Sequence, residues 1–201
     1  EELPDGRRQV QFGHAFDSYP NPIRRIETAP LFVSYSDQGL NRLSVNFQRH
    51  LRDKVINWNK ESLPRPVHYN CWEAVYFDHE LNALSEIIEL AANIGAERFV
   101  LDDGWFGARN DDSQSLGDWE IDPKKYPEGL GPLIAKVNKF GMSFGIWFEP
   151  EMVNLNSKLY ARNPNWVLGP IDQIQGRNQL VLNMENPDVQ EYLFEKISAI
   201  L

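Results

Sequence analysis

The nine residues RFVLDDGWF (98–106) indicate the architecture of the chain more clearly than any other segment. Arg98–Leu101 is a short apolar run of the kind that forms a buried strand. The run ends at Asp102, and Gly104 allows the chain to turn soon afterwards. We therefore expect a buried strand that carries a carboxylate at its carboxyl end.

Strands and helices are predicted to alternate on both sides of this strand. Upstream, Val67–Trp72 is expected to form a short strand, and the helix after it would be capped by Asp78 and ended by Gly95. The apolar residues of that helix recur every three or four positions, at Leu81, Leu84, Ile88 and Ala91. Downstream, the predicted elements are a helix over 130–140 that ends at Gly141, a strand over Ser143–Phe148, a short helix over 156–162, a strand candidate over Gln179–Asn183, and a helix from Asn186-Pro187-Asp188 to Leu201.

This alternation predicts an α/β fold with a parallel sheet, either open or closed into a barrel. The sequence contains neither GxGxxG nor GxxxxGK[ST], so no nucleotide-binding fingerprint supports an open, doubly wound sheet. The chain has 201 residues, whereas a complete barrel of eight strands and eight helices typically needs about 250.

The amino-terminal part follows a different pattern. Residues 1–29 are irregular, PLFVSYS (30–36) is a strand candidate, and residues 39–57 are predicted to form a helix capped by Asp37. The prolines of the following Leu63-Pro64-Arg65-Pro66 segment interrupt the chain. We predict two domains, over residues 1–64 and 65–201.

Composition excludes several classes of protein. The chain carries 20 Lys+Arg against 29 Asp+Glu, a net charge of −9, which argues against a nucleic-acid partner. No stretch approaches the roughly 18–20 apolar residues of a membrane span. The first residues, EELPDGRRQV, do not form a secretory signal, so we expect a cytoplasmic protein. The four histidines lack metal-ligand spacing, and no metal site is predicted.

Three predicted strand ends place a tryptophan beside carboxylates, at NCWE (70–73), LDDGW (101–105) and IWFEPE (146–151). Carboxylates accept hydrogen bonds from hydroxyl groups, and the flat indole face covers the apolar C–H patches of a sugar ring. This combination predicts a carbohydrate pocket at the carboxyl ends of the strands.

The paired acids allow more than one role. Adjacent strand residues point to opposite faces, so Asp102 and Asp103 could converge as a glycosidase pair only because the strand ends there. We favour substrate binding by both aspartates, with capping of the following loop as the alternative for at least one. Glu149 and Glu151 would face the same way, and a structural role is favoured over a proton-transfer pair or half of a metal site.

Two further residues are candidates from their positions alone. Arg177 lies in a Gly-Arg-Asn turn, where its guanidinium could bind sugar hydroxyls or a carboxylate, or remain in solvent. Cys71 is the only cysteine, and it is expected to pack rather than react because no histidine lies close in sequence.

Five blocks in this order closely resemble the bacterial α-galactosidases of glycoside hydrolase family 36: RPVHYNCWEA (65–74), LDDGWF (101–106), GDWEIDPKKYPEGL (117–130), FGIWFEPEMV (144–153) and QLVLNMENPDV (179–189). The resemblance implies an incomplete (β/α)8 TIM-type barrel over residues 65–201, with the first three to four β/α units. A short remnant of an N-terminal β-domain would precede it. It also implies retaining hydrolysis of terminal α-linked galactose from oligosaccharides such as melibiose and raffinose, without a metal or organic cofactor.

Carried over residue by residue, the resemblance assigns substrate-binding roles only. Asp102 and Asp103 correspond to the pair that holds the galactose hydroxyls, Trp72 and Trp147 to the aromatic walls, and Arg177 to an arginine that reaches the sugar. The family's nucleophile, in a Lys-Trp-Asp-Met block, and its acid/base aspartate are expected after Leu201. No catalytic residue is therefore predicted within these 201 residues, and Cys71 stands where the family usually has a small polar residue.

The predicted partner is thus an α-galactoside oligosaccharide. Two alternatives remain from the sequence: a different barrel α-glycosidase or transglycosylase, and a catalytically inactive sugar-binding piece. An unfinished barrel has open strand edges, so we also expect a homo-oligomer or poor solubility unless those edges are covered.

Overall fold

The computed structural model of the chain describes residues 4–8, 30–56, 65–170, 172–173 and 175–201. It divides into two units, Glu1–Pro64 and Arg65–Leu201. Most of the segment predicted to be irregular, residues 9–29, lies outside the described residues. Over the part of the chain that the structure describes, no helix has the length and apolar character needed to cross a membrane.

The first unit contains helix α1 (Gly39–His50), which continues as a π-helical turn over Leu51–Val55. The strand predicted over residues 30–36 is wrong: these residues form no strand pairing within the described chain, and Val33 is 82% exposed. Apolar and β-branched residues favour a strand only where a neighbouring strand completes the hydrogen bonds. Asp37 is not the cap of α1, because Gln38 occupies the N-cap position and donates its N–H to the Ser36 hydroxyl (3.1 Å).

The second unit is an α/β structure built on a parallel sheet. Strands β1 (His68–Asn70), β2 (Arg98–Leu101) and β3 (Ser143–Ile146) pair in the order β1-β2-β3, with Phe99 beside Tyr69 and Phe144. The strands are connected through α2 (Trp72–Val75), α3 (Leu81–Asn93) and α4 (Gly131–Lys139). Helix α3 buries Leu84, Ile88 and Ala91 in the core, as its periodicity predicts, whereas the fourth predicted position, Leu81, is 39% exposed. Helix α4 adds Leu133 and Val137 to the core.

Both long crossover helices end at the glycines that the sequence indicates. Gly95 has φ of +92°, and the N–H of Ala96 donates to the carbonyl of Ala91 (3.0 Å). Gly141 has φ of +77° and closes α4 in the same way, with the bond of a Schellman motif between Met142 and Val137. The prediction that Asp78 caps this helix is wrong, since α3 begins at Leu81 and Glu80 occupies the N-cap position.

The remaining elements follow β3 along the chain. They are β4 (Met152–Asn154), α5 (Lys158–Arg162), a 3₁₀ turn over Pro164–Trp166, β5 (Gln179–Val181) and α6 (Pro187–Ser198). The strand predicted over Gln179–Asn183 is present as β5, but it pairs antiparallel with β4. Among the described residues, the parallel sheet therefore has three strands. Helix α6 begins as predicted, with the Asn186 side chain accepting from the N–H of Asp188 (3.0 Å).

Candidate functional site

A cavity of about 360 Å³ opens at the carboxyl ends of the three parallel strands. It is lined by Asn70, Trp72, Glu73, Asp102, Asp103, Trp147 and Arg177. The structure thus brings together all five residues that the sequence selects for substrate binding, and adds Asn70 and Glu73. A volume near the lower end of the range for small-molecule pockets fits a ligand of modest size.

Parallel pairing explains why residues so far apart in sequence meet here. Asn70 ends β1, Asp102 follows β2, and Trp147 follows β3. Because the strands run in the same direction, their carboxyl ends lie at one edge of the sheet. Arg177 reaches the cavity from the turn that precedes β5.

Asp102 is held in place by its neighbours on two strands. The amide of Asn70 donates to Oδ2 of Asp102, and the backbone N–H of Asp103 donates to Oδ1 (2.7 Å). The carbonyl oxygen of the same Asn70 side chain accepts from the N–H of Trp72 (2.8 Å). Asn70 therefore positions both the carboxylate of Asp102 and the backbone of Trp72.

Asp103 forms a fully buried ion pair with Arg109. The guanidinium donates from Nε to Oδ1 (2.9 Å) and from Nη2 to Oδ2 (2.8 Å), and neither side chain is more than 1% exposed. Arg109 also donates from Nη1 to the carbonyl of Gln114 (2.8 Å) and to Oδ1 of Asn154 (2.7 Å). The second guanidinium near Asp103 belongs to Arg177, whose Nη2 lies 3.8 Å from Oδ2 of Asp103.

The sequence analysis did not select Arg109. A signal was available, because a cation is one of the partners that a buried carboxylate can use, and Arg109 is the first basic residue after Asp103. The sequence analysis did not select Lys125 either. Its ammonium donates to the carbonyls of Phe77 (2.8 Å), Gly104 (2.9 Å) and Arg109 (2.9 Å), and so ties the loop after β2 to the segment before α3.

Arg177 occupies a strained turn. Arg177 and Asn178 have φ of +51° and +58°, and the N–H of Gln179 donates to the carbonyl of Gly176 (3.1 Å). Positive φ at both central residues is the pattern of a type I′ turn, which rarely accepts arginine. The Arg177 side chain is about half-exposed, and its guanidinium carbon lies 6.0 Å from the centre of the Trp72 ring.

The two aromatic walls are supported differently. Trp72 meets the rings of Tyr76 and Phe77 edge to face, at 5.1 and 5.0 Å between centroids. Trp147 rests on the core, because its carbonyl accepts from the indole N–H of Trp105 (2.9 Å) and its ring lies 6.2 Å from that of Trp119. Trp105 and Trp119 are buried, so these two tryptophans pack rather than face the cavity.

The other candidate acids and the cysteine lie outside the cavity lining. Burial raises the pKa of Glu149, whose Oε2 accepts from the Gln179 amide (2.9 Å), and Glu151 is exposed. Cys71 is fully buried, and burial raises the pKa of its thiol to about 11. That environment agrees with the predicted packing role, since the reactive thiolate is disfavoured.

Comparison with known proteins gives a consistent result. The family profile described as melibiase matches residues 25–201. The α-galactosidase of Escherichia coli is 43% identical over 206 residues, covering 100% of this chain and 29% of its own length. Alpha-galactosidase AgaA of Geobacillus stearothermophilus is also 43% identical, over 90% of this chain and 25% of its own. The chain thus spans between a quarter and a third of the length of these curated relatives.

Solved structures show the same likeness. GH36 α-galactosidase AgaB from Geobacillus stearothermophilus has a TM-score of 0.70 and 46% identity, over 83% of this chain and 23% of that one. A variant of AgaA in complex with stachyose has a TM-score of 0.71 and 44% identity, over 83% and 24% of the two chains. The similarity is therefore one of sequence and of fold.

Proposed function

The chain belongs to the melibiase family, and from this we propose that it supplies the galactose-binding part of an α-galactosidase that hydrolyses terminal α-linked galactose with retention of configuration. The observation that carries the proposal is the single cavity in which two aspartates, two tryptophans and an arginine converge. The relatives crystallised with stachyose and raffinose support oligosaccharides of that kind as substrates.

The lining suits a neutral sugar. A carboxylate offers about four acceptor positions, and the protein uses one on each oxygen of Asp102 and, through Arg109, one on each oxygen of Asp103. The remaining positions can accept the hydroxyl protons of galactose. Trp72 and Trp147 offer ring surfaces to its C–H groups, and Arg177 can donate to a ring hydroxyl.

The aspartates of the cavity are assigned binding rather than catalysis. A retaining glycosidase needs one carboxylate to attack carbon and another to transfer a proton. Both oxygens of Asp103 are engaged by a buried guanidinium, which stabilises the anion and opposes its use as a proton donor or nucleophile. We assign the nucleophile and the acid/base to residues other than those that line this cavity, as the family resemblance implies.

The three parallel β/α units are proposed to be the first part of a (β/α)8 barrel. Three observations support this: the parallel order β1-β2-β3, the cavity at the carboxyl ends of the strands, and the TM-scores of 0.70 to 0.72 with GH36 α-galactosidases. Residues 1–64 are assigned to the end of the preceding β-domain and its linker.

The proposal is tested by binding, with galactose and its C4 epimer glucose added separately to the 201-residue chain and followed by ligand-observed NMR. We expect weak binding of galactose and weaker binding of glucose. Asp102→Asn should lower the galactose affinity about tenfold, since one charged acceptor is lost, whereas Asp188→Asn in α6 should leave it unchanged.

Three outcomes would contradict the proposal. Preference for glucose would favour a different barrel α-glycosidase. Equal binding by the Asp102→Asn variant would remove that residue from the site. Turnover of a chromogenic α-galactoside by the 201-residue chain, abolished by Asp102→Asn, would place the catalytic carboxylates among these residues.

A further inference from the structure

Asn154 is the last residue of β4 and does not line the cavity. Its hydrogen bonds nevertheless connect two charged residues that do line it, Asp103 and Arg177. Its side chain is fully buried and uses both ends of the amide. The oxygen accepts from Nη1 of Arg109 (2.7 Å) and from the N–H of Leu116 (3.0 Å). The nitrogen donates to the carbonyls of Asn178 (2.7 Å) and Asp112 (3.1 Å).

Through its oxygen, Asn154 fixes the cation that holds Asp103. Arg109 donates from one nitrogen to Asn154 and from the other two to the carboxylate of Asp103. Asn154 and Asp103 together therefore set the orientation of the planar guanidinium. The direction of the Asp103 carboxylate in the cavity therefore depends on where the Asn154 oxygen lies.

Through its nitrogen, Asn154 restrains the turn that carries Arg177. The turn has positive φ at Arg177 and Asn178, a conformation that side-chain-bearing residues rarely adopt without support. The bond from Asn154 to the Asn178 carbonyl supplies that support from the core, next to the position where Asn154 pairs with Gln179 across β4 and β5.

We propose that Asn154 is a positioning residue that couples Asp103 to Arg177 and thereby sets the affinity of the cavity for galactose. The inference rests on the proposed function for its ligand, while the coupling itself is a property of the chain. The amide is suited to this task because a single side chain must accept from a guanidinium on one side and donate to a carbonyl on the other.

The test uses Asn154→Asp, which keeps an acceptor for Arg109 but replaces the donor toward Asn178 with a second oxygen. Asn156→Asp is the matched control, because it makes the same change at an exposed position two residues away. Limited digestion with trypsin then measures the turn directly, since the enzyme cleaves after Arg177. We expect cleavage there to accelerate about tenfold in Asn154→Asp, as the loss of the buried hydrogen bond to the Asn178 carbonyl predicts. Cleavage after Lys139 in α4 should be unchanged.

Galactose binding supplies the second readout. Asn154→Asp should weaken binding about tenfold relative to wild type and to Asn156→Asp, because the turn that carries Arg177 loses its hydrogen bond to Asn154. Accelerated cleavage with unchanged galactose affinity would overturn the role of Asn154 in ligand binding. Unchanged cleavage after Arg177 would overturn the coupling. If the wild-type chain does not bind galactose while cleavage accelerates, the proposed function fails and the coupling stands.

If Asn154→Asp does not fold, the wild-type chain decides the question by NMR. The side-chain amide protons of Asn154 should exchange with solvent far more slowly than those of Asn156, because both ends of the buried amide are bonded. On titration with galactose, they should shift with the same midpoint as the Nε–H of Arg177. Rapid exchange, or an unmoved Asn154 signal while Arg177 shifts, would overturn the inference.

Discussion

Replacing Arg109 with methionine should be among the most destabilising single changes in the second unit. Methionine fills much of the space but removes the guanidinium, which makes four hydrogen bonds to Asp103, Gln114 and Asn154. Asp103 would then be a carboxylate at 1% exposure whose nearest remaining cation, on Arg177, is 3.8 Å away and half in solvent. Breaking a buried ion pair in this way costs about 3–5 kcal/mol.

A double-mutant cycle separates the cost of leaving the Asp103 charge unpaired from the cost of lost packing. We expect Arg109→Met to lower the free energy of unfolding by about 3–5 kcal/mol, and Arg109→Met with Asp103→Leu to recover at least about half of that loss, because no buried charge is left uncompensated. Urea unfolding followed by the fluorescence of the buried Trp105 and Trp119 reports on this unit. Arg162→Met, at an exposed residue of α5, is the control and should cost less than about 1 kcal/mol.

Two results would refute this reasoning. A cost below about 1 kcal/mol for Arg109→Met would mean that the ion pair is not buried as the structure shows, since exposed pairs contribute that little. Strict additivity in the cycle would mean that Arg109 and Asp103 do not interact directly, because contacting residues couple.

Three other predictions concern buried groups near the cavity. Burial and the neighbouring Lys125 lower the pKa of His79 from 6.5 to about 4. Because the unfolded chain then takes up a proton that the folded chain does not, stability should fall by up to about 3 kcal/mol between pH 6.5 and pH 4. A His79→Phe variant should lack that part of the slope in urea titrations at several pH values, and an equal slope would contradict the assignment. Cys71 is buried and the pKa of its thiol is raised, so it should react with iodoacetamide at pH 8 only after urea is added. Mass spectrometry measures the labelling, and fast labelling of the folded chain would contradict the burial of Cys71. Gly104→Ala should lower the thermal midpoint, with a cost of at least about 2 kcal/mol, since Gly104 has φ of +118° and an added Cβ would lie 3.2 Å from Nε2 of His79 and from the Phe77 backbone. The control Gly131→Ala, in α4 with open space around it, should be neutral or slightly stabilising, and equal effects of the two changes would refute the argument.

The elements that the sequence predicts well are those determined locally. Apolar residues three and four apart place α3, and the glycines at 95 and 141 end α3 and α4 through positive φ. The side chains at the strand ends could also be predicted, because the direction of parallel strands alone brings Trp72, Asp102 and Trp147 to one edge.

The elements that the sequence did not predict depend on partners far along the chain. Strand β4 has three residues and exists because β5 pairs with it, which no local pattern encodes. Residues 30–36 have strand-forming side chains but no pairing partner in the described structure. Asn154 lies 45 residues from Arg109 and 24 from Asn178, so its role becomes visible only when the three segments are brought together in space.

The buried polar network explains how two adjacent aspartates can face one small cavity. Neighbouring carboxylates repel, and each is costly to bury without a compensating charge. Arg109 balances one of them from within the protein and is itself inaccessible, so its charge is not available to a ligand. The cation left facing the cavity among its lining residues is Arg177, half-exposed and set against Trp72. The accessible groups are therefore mostly acceptors, arranged before any ligand arrives, and this favours a neutral molecule rich in hydroxyl donors over an anionic one.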